Sequence, residues 1–152
     1  MRKISFILLV SLMVLAFASC SDSDGNNNMS DEEKSVFGYG LGTSMDDVKK
    51  GTSTYQQEME DSTLYVLNFK PSCVVSYQFA YGRLVAMSVI GPQEQIDDAF
   101  IGRLESGYTE LGDITSGKTV WVNESEGKLM EIVLSTHNTI PYCAIGWTEY
   151  KK

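Results

Sequence analysis

The 152-residue chain is short of the side chains from which most active sites are built: it contains one His, three Cys and three Pro. A single His with no Cys pair at ligand spacing leaves no donor set for a zinc or iron centre, so no metal and no cofactor is expected. Basic residues are scarce too. Twelve Lys and Arg stand against 20 Asp and Glu, a net charge of -8, which removes the basic footprint on which nucleic-acid affinity depends. No phosphate-binding lysine follows a glycine loop; Gly38, Gly40 and Gly42 alternate without a strand and a long helix around them and read as a flexible lead-in. His137 lies in a turn-rich connection, and neither Ser125 nor Ser135 has the surroundings of a nucleophile, so His137 reads as a solvent-facing loop residue and no catalytic residue is assigned. Asp46, Asp47, Asp97 and Asp98 fall in first turns or on helix exteriors, where carboxylates complement the helix dipole.

What is present is concentrated first at the amino terminus. Arg2 and Lys3 precede an apolar run of about 14 residues, too short for a bilayer span of ~20, and small residues close it. This is the layout of a secretory signal peptide over 1–19. The exit Leu15, Ala16, Phe17, Ala18, Ser19 and Cys20 resembles a bacterial lipobox, which implies that Cys20 carries the lipid of a mature lipoprotein. Two or more acyl chains on one residue give stable anchoring where a single chain is marginal. Residues 20–35 carry almost no apolar side chains and read as a flexible tether. Asp22 and Asp24, directly behind Cys20, resemble the export signal of surface lipoproteins of the Bacteroidota. Together these imply an outer-membrane lipoprotein, lipid-anchored and facing outward rather than into the periplasm. Without residues 1–35 the chain keeps a net charge of -6, so the lipid and not a basic patch must hold it at the membrane.

Residues 36–152 form one domain of ordinary size. Ser44 as N-cap, Asp47 three residues on and Gly51 as C-terminal stop predict a helix of about two turns. Gly91 and Pro92 open a second predicted helix whose stripe is Ile96, Phe100 and Leu104, with Gly107 as its stop. Residues 64–69, 73–80, 84–90, 119–122, 129–135 and 142–150 are rich in β-branched and aromatic side chains and read as strands. Cys73, Val75, Tyr77 and Phe79 alternate with Val74, Ser76 and Gln78, the pattern of an antiparallel sheet covered on one side. The run from Tyr81 to Val89 also echoes the run from Glu126 to Leu134 at a constant offset, Gly82 on Gly127 and Leu84 on Leu129. Pseudo-repeats over 42–90 and 91–150 follow, giving an α+β fold: two α-β-β-β-like halves forming one antiparallel sheet with both helices on one face. Cys73 and Cys143 both point to the apolar face. They can form a disulfide or stand as two separate buried thiols.

Gly42, Thr43, Ser44, Met45, Asp46, Asp47 and Val48, followed by Tyr77, Gln78, Phe79, Ala80, Tyr81, Gly82, Arg83 and Leu84, resemble the module of the outer-membrane assembly lipoprotein BamE (the SmpA/OmlA family) and of β-lactamase-inhibitor-protein-like (BLIP-like) domains. The resemblance implies a capped helix before a hairpin and a non-enzymatic role in binding another protein. The sheet face opposite the helices is the expected binding surface, with Gln78, Tyr142 and Tyr150 among its side chains, because Tyr supplies contact area at low entropic cost. A protein partner is the first expectation. A cell-surface glycan is the alternative, requiring an exposed coplanar Trp and Tyr platform, and an enzyme of unrecognised type is the second alternative.

Overall fold

Apolar and polar residues alternate through most of the second half of the chain, and that alternation is resolved by placing a broad sheet under a single layer of short helices. The structure, a computed structural model, describes residues 29–115 and 117–152. The expected signal peptide over 1–19, Cys20, Asp22, Asp24 and residues 20–28 of the expected tether lie outside the described residues. Eight strands form one antiparallel sheet: β1 (Gln56–Glu60), β2 (Leu64–Lys70), β3 (Cys73–Ala80), β4 (Arg83–Pro92), β5 (Thr109–Thr115), β6 (Lys118–Asn123), β7 (Lys128–His137) and β8 (Ile140–Glu149). Their spatial order is β1-β2-β3-β4-β8-β7-β6-β5. Two four-stranded meanders therefore meet at a seam between β4 and β8, where Ala86 lies opposite Thr148, Val89 opposite Ile145 and Gly91 opposite Cys143.

Among the described residues there are three helices, α1 (Asp31–Phe37), α2 (Met45–Gly51) and α3 (Asp98–Leu104). Val36 and Phe37 of α1, Val48 of α2, and Phe100 and Leu104 of α3 join one core with Tyr65, Leu67, Val75, Tyr77, Met87, Val89, Met130, Ile132, Ile145 and Trp147. Strand alternation and pairing place all these sheet residues on one side, so the three helices cover the same face. The α+β class and the single antiparallel sheet follow the sequence reading. Each half, however, carries four strands after its helix rather than three, and α1 stands outside both halves.

The largest departure is at α1. The tether expected over 20–35 is not found over 29–35: Met29 is 6% exposed, Glu33 is buried, and Met29, Val36 and Phe37 belong to the core. Ser30 is the N-cap: its Oγ accepts from the Glu33 amide at 3.1 Å, and the Ser30 amide donates back to Glu33 Oε2 at 3.0 Å, a complete capping box. Glu33 is not a solvated charge. It is 3% exposed and accepts both Arg103 Nε (2.9 Å to Oε2) and Arg103 Nη2 (2.6 Å to Oε1) from α3. Tyr77 Oη donates to the Val36 carbonyl at 2.8 Å, fastening the end of α1 to the middle of the sheet. Phe37 then meets Phe69, Phe100 and Trp147 at centroid distances of 5.2, 5.7 and 5.6 Å.

Three smaller expectations also change. α2 has Ser44 as its N-cap, but Gly51 is its last residue and Thr52 the C-cap. Gly91 and Pro92 do not open a helix; they end β4, because they pair with Cys143 and Tyr142, and α3 starts instead after Asp97, whose carboxylate accepts the Phe100 amide at 2.8 Å. The lead-in at Gly38 to Gly42 is anchored rather than loose: the Gly42 amide donates to the Leu84 carbonyl at 2.7 Å and Leu84 returns a bond to Thr43 at 2.8 Å. The echo between the two hairpins also falls out of step with the architecture. Its first copy lies on β4 and its second on β7, which hold different ranks in their meanders. The hairpins of equal rank, β3–β4 and β7–β8, share another feature: each turns on two residues with positive φ, Tyr81 (52°) and Gly82 (72°) in one, Asn138 (48°) and Thr139 (69°) in the other.

Candidate interaction surface

Because directly paired residues share a side of the sheet, the face away from the helices can be traced across the strands. One row runs Val66, Ser76, Ser88, Gly146, Glu131 and Val120. A second runs Leu64, Gln78, Ala86, Thr148, Leu129 and Val122, and a third Asn68, Val74, Ile90, Ala144, Val133 and Lys118. Over β3, β4 and β8 the middle of the face is therefore floored by Ser76, Ser88, Ala86, Ala144 and Gly146. The Ser76 and Ser88 hydroxyls share one hydrogen bond at 2.7 Å, and no charged side chain stands on that floor. Larger apolar side chains flank it: Ile90 is 52% exposed and Val133 37%. Val120 and Val122, farther along the same face, are buried, so the uncovered area lies over β2, β3, β4, β8 and β7.

Charge on this face is low and largely matched. Lys118 Nζ meets the Glu131 carboxylate at 2.8 Å. The other ion pairs lie away from it. Lys49 of α2 reaches Glu60 of β1, and that contact holds the Lys49 ammonium above and the Glu60 carboxyl below their ordinary values.

Of the residues expected on the binding surface, Gln78 lies on the open face and is exposed. Tyr142 takes the same side at the far end of β8, half-buried beside Pro92, with the His137 ring edge-on to it at 6.3 Å. Tyr150 follows the last strand, where its amide donates to the Gly127 carbonyl at 2.8 Å, and it lines an open cleft with Arg83, Val85 and Glu126. The three are not one cluster: Gln78 shares a row with Thr148, two strands away and toward the Tyr150 end of the strands, and Tyr142 lies at the opposite end. Ile90 and Val133 were not singled out from the sequence, although their places in the alternation of β4 and β7 mark them. Tyr81 was missed as well; it stands fully exposed in a left-handed turn position that costs a non-glycine residue free energy.

The two tryptophans do not face out of this surface. Trp147 is 4% exposed in the core, and Trp121, paired with Met130, lies half-buried on the helix-bearing side with its Nε1 shielded and without a hydrogen-bond partner. His137 ends β7 beside a tight two-residue turn, exposed, with Nε2 3.2 Å from Asn138 Nδ2. The expected loop is thus a hairpin. Among the described residues no three His, Cys, Asp or Glu side chains gather as a metal site, and no helix is long and apolar enough to cross a membrane.

Cys73 and Cys143 are both buried and both free. They share a row of the sheet, but Gly91 of β4 lies between them. Two inter-strand steps separate their backbones by about 9.6 Å, beyond the ~7 Å limit for a disulfide. Of the two arrangements open to them, the structure therefore holds the pair of thiols. Burial pushes the Cys143 thiol up to about 11 and raises that of Cys73, so neither is poised as a nucleophile.

No protein-family description matches the chain, and neither the curated proteins nor the solved structures compared with it give a match.

Proposed function

We propose that this protein is a non-enzymatic, lipid-anchored envelope protein of the outer membrane, facing outward, whose uncovered sheet face docks a protein partner. The observation that carries the reading is the face itself: a floor of Ser, Ala and Gly across three strands, with Ile90, 52% exposed, on the middle strand at one end of it and Val133, 37% exposed, beside it on β7. A floor three strands wide spans about 10 Å between its outer strand axes, comparable to the diameter of one α-helix. An apolar element with few charges would bury Ile90 and Val133 there without stranding a charge, since Lys118 and Glu131 already pair. The resemblance of the helix and hairpin motifs to BamE and BLIP-like modules supports the same reading. Anchoring through Cys20 and export directed by Asp22 and Asp24 complete it.

The glycan alternative needs an exposed aromatic platform, and the burial of Trp147 with the inward placement of Trp121 counts against it. The test is photocrosslinking in native membranes from the full lipidated chain, with the crosslinker at Ile90 or Val133 and, as control, at Lys50 on α2. A discrete protein adduct from the two sheet positions and none from Lys50 is expected. Ile90→Arg, an exposed change that should leave stability within ~0.5 kcal/mol, is expected to abolish the adduct formed from Val133. Recovery of polysaccharide without protein, or equal adducts from both sides, would sink the proposal.

A further inference from the structure

Apolar surface and charge are divided between the two sides of the sheet. Of the eight large apolar side chains left exposed among the described residues, four project from the open face: Met59, Ile90, Val133 and Ile140. Asp31, Glu32, Asp46, Asp47 and Asp98 lie on the helices of the other side. Across the three rows of the open face the only charges are Lys118 and Glu131, already paired, with Glu58 at the edge bonded to Asn68. In a chain of net charge -8, this is the side on which a second copy meets the least repulsion. The face also holds both halves of a fit, because Ile90 protrudes beside a hollow floored by Ala144, Gly146 and Ser88.

We propose that the occupant of the open face is a second copy of this chain, docked face to face about a two-fold axis that runs along the β4–β8 seam. This deepens, and rests on, the reading of that face as a protein-docking surface. Such an axis lays each row on its own reverse. Ile90 of one copy then meets Ala144 of the other, Val74 meets Val133, and Asn68 with Glu58 meets Lys118. One row over, Ser88 meets Gly146 and Ser76 meets Glu131. Because Ser76 and Ser88 share a single hydrogen bond, one hydroxyl proton stays free to be donated to that carboxylate. No like charges are opposed, whereas an axis across the strands would set Glu131 on Glu131. The two sheets would then pack with their strands within about 30° of each other, as aligned sheets do. Four rows over five strands cover about 24 Å by 27 Å, or ~650 Å² per copy and ~1,300 Å² in the pair, which clears the lower bound for a specific interface. Met29 shares a cavity with Asn123, Glu126 and Lys128 at the strand ends where β6 turns into β7. The seam axis puts both of these exits at the same end of the pair, so both anchors fit one bilayer, whose confinement raises the local concentration.

The test uses the full lipidated chain in native membranes, co-produced in two forms that carry different epitope tags and a photocrosslinker at Ile90. An adduct of twice the chain mass is expected, bearing both tags and joined to the peptide that contains Ala144. Val74→Glu or Val133→Lys alone should reduce it several-fold. Both changes in one chain should restore it, because position 74 of each copy meets position 133 of the other. Within a single copy those positions lie three strands apart, about 14 Å, so the recovery has to come from pairing between copies. Continued loss in the double variant would overturn the self-pairing. An adduct of Ile90 with a different polypeptide would also overturn it, while leaving the face a docking surface. The absence of any protein adduct from Ile90 and Val133 would overturn both readings.

Discussion

Gly91 shows how one missing side chain organises the sheet seam. It lies between Cys73 and Cys143 in one row, and the Cys73 sulfur occupies the space in which a Gly91 Cβ would stand, with the Cys73 Cα only 3.2 Å from that point. Gly91 has an ordinary extended backbone, so its requirement is room and not an unusual φ. Gly91→Ala is therefore expected to cost about 2–3 kcal/mol through overpacking, read as a lower urea midpoint at unchanged slope. Cys73→Ala in the same chain should recover most of that loss, because it removes the sulfur that the new methyl group would strike. If the double variant is as unstable as the two single changes added together, the sulfur is not the obstacle. The same geometry explains why the cysteine pair could not be settled from the sequence. Alternation shows that both side chains point inward, but the strand between them becomes visible only with the order in which the two meanders meet.

The elements divide by how much apolar material they carry. β2, β3, β4, β6, β7 and β8 alternate and bury one side, so each was legible to within about two residues. β1 and β5 were not. β1 is exposed along its whole length and β5 carries Glu110, Leu111 and Gly112 in sequence, so neither shows a period of two. These are the sheet edges, and both pair through irregular register, with Glu58 and Glu60 on β1 bonded to Asn68 and Lys49. Bulges and charges of this kind keep edges from pairing with other chains. α1 was overlooked for the converse reason: Asp31, Glu32, Glu33 and Lys34 resemble a solvated tether, and the Ser30 and Glu33 capping signature before Val36 and Phe37 was the available signal. Of the binding surface, alternation placed Gln78 on the open face, but the separation of Tyr142 and Tyr150 depends on strand length and turn position. The clasp on α1 gives a pH prediction. Burial pushes the Glu33 carboxyl up, but hydrogen bonds from Arg103 and the Ser30 amide, and the charges of Arg103 and Lys70, outweigh it and leave the group below its ordinary value of 4.5. A carboxyl depressed by folding contributes stability that is complete above its unfolded pKa and is lost as pH falls through its folded pKa. Stability should therefore decline below pH 4.5. Glu33→Gln is expected to lower stability at pH 7 by about 2–3 kcal/mol, less than for a fully buried pair because Arg103 is partly open to water, and to flatten that acid limb. An unchanged limb would mean that other carboxylates set it.

The molecule as a whole consists of two meanders with one interior. Phe37 from α1 touches Phe69 of the first meander, Phe100 of α3 and Trp147 of the second. Met87 and Val89 of β4 lie opposite Trp147 and Ile145 of β8 in the seam. Neither half can close its apolar face without the other, since each would expose the seam strand's inward row and lose part of the helical cover. Duplicated appearance does not imply independent folding when the core is shared. We therefore expect chemical unfolding to be a single transition, with the midpoints from tryptophan fluorescence, which reports the second meander, and far-UV circular dichroism, which reports the whole sheet, coinciding. A polypeptide of residues 29–96 alone is expected to show no cooperative transition. Because β4 must find β8 across a long intervening stretch of chain, refolding should fall in the millisecond-to-second range typical of sheets dominated by non-local pairing. Non-coincident midpoints, with fluorescence changing first, would show the second meander opening on its own and would place the weakest join of the fold at the β4–β8 seam.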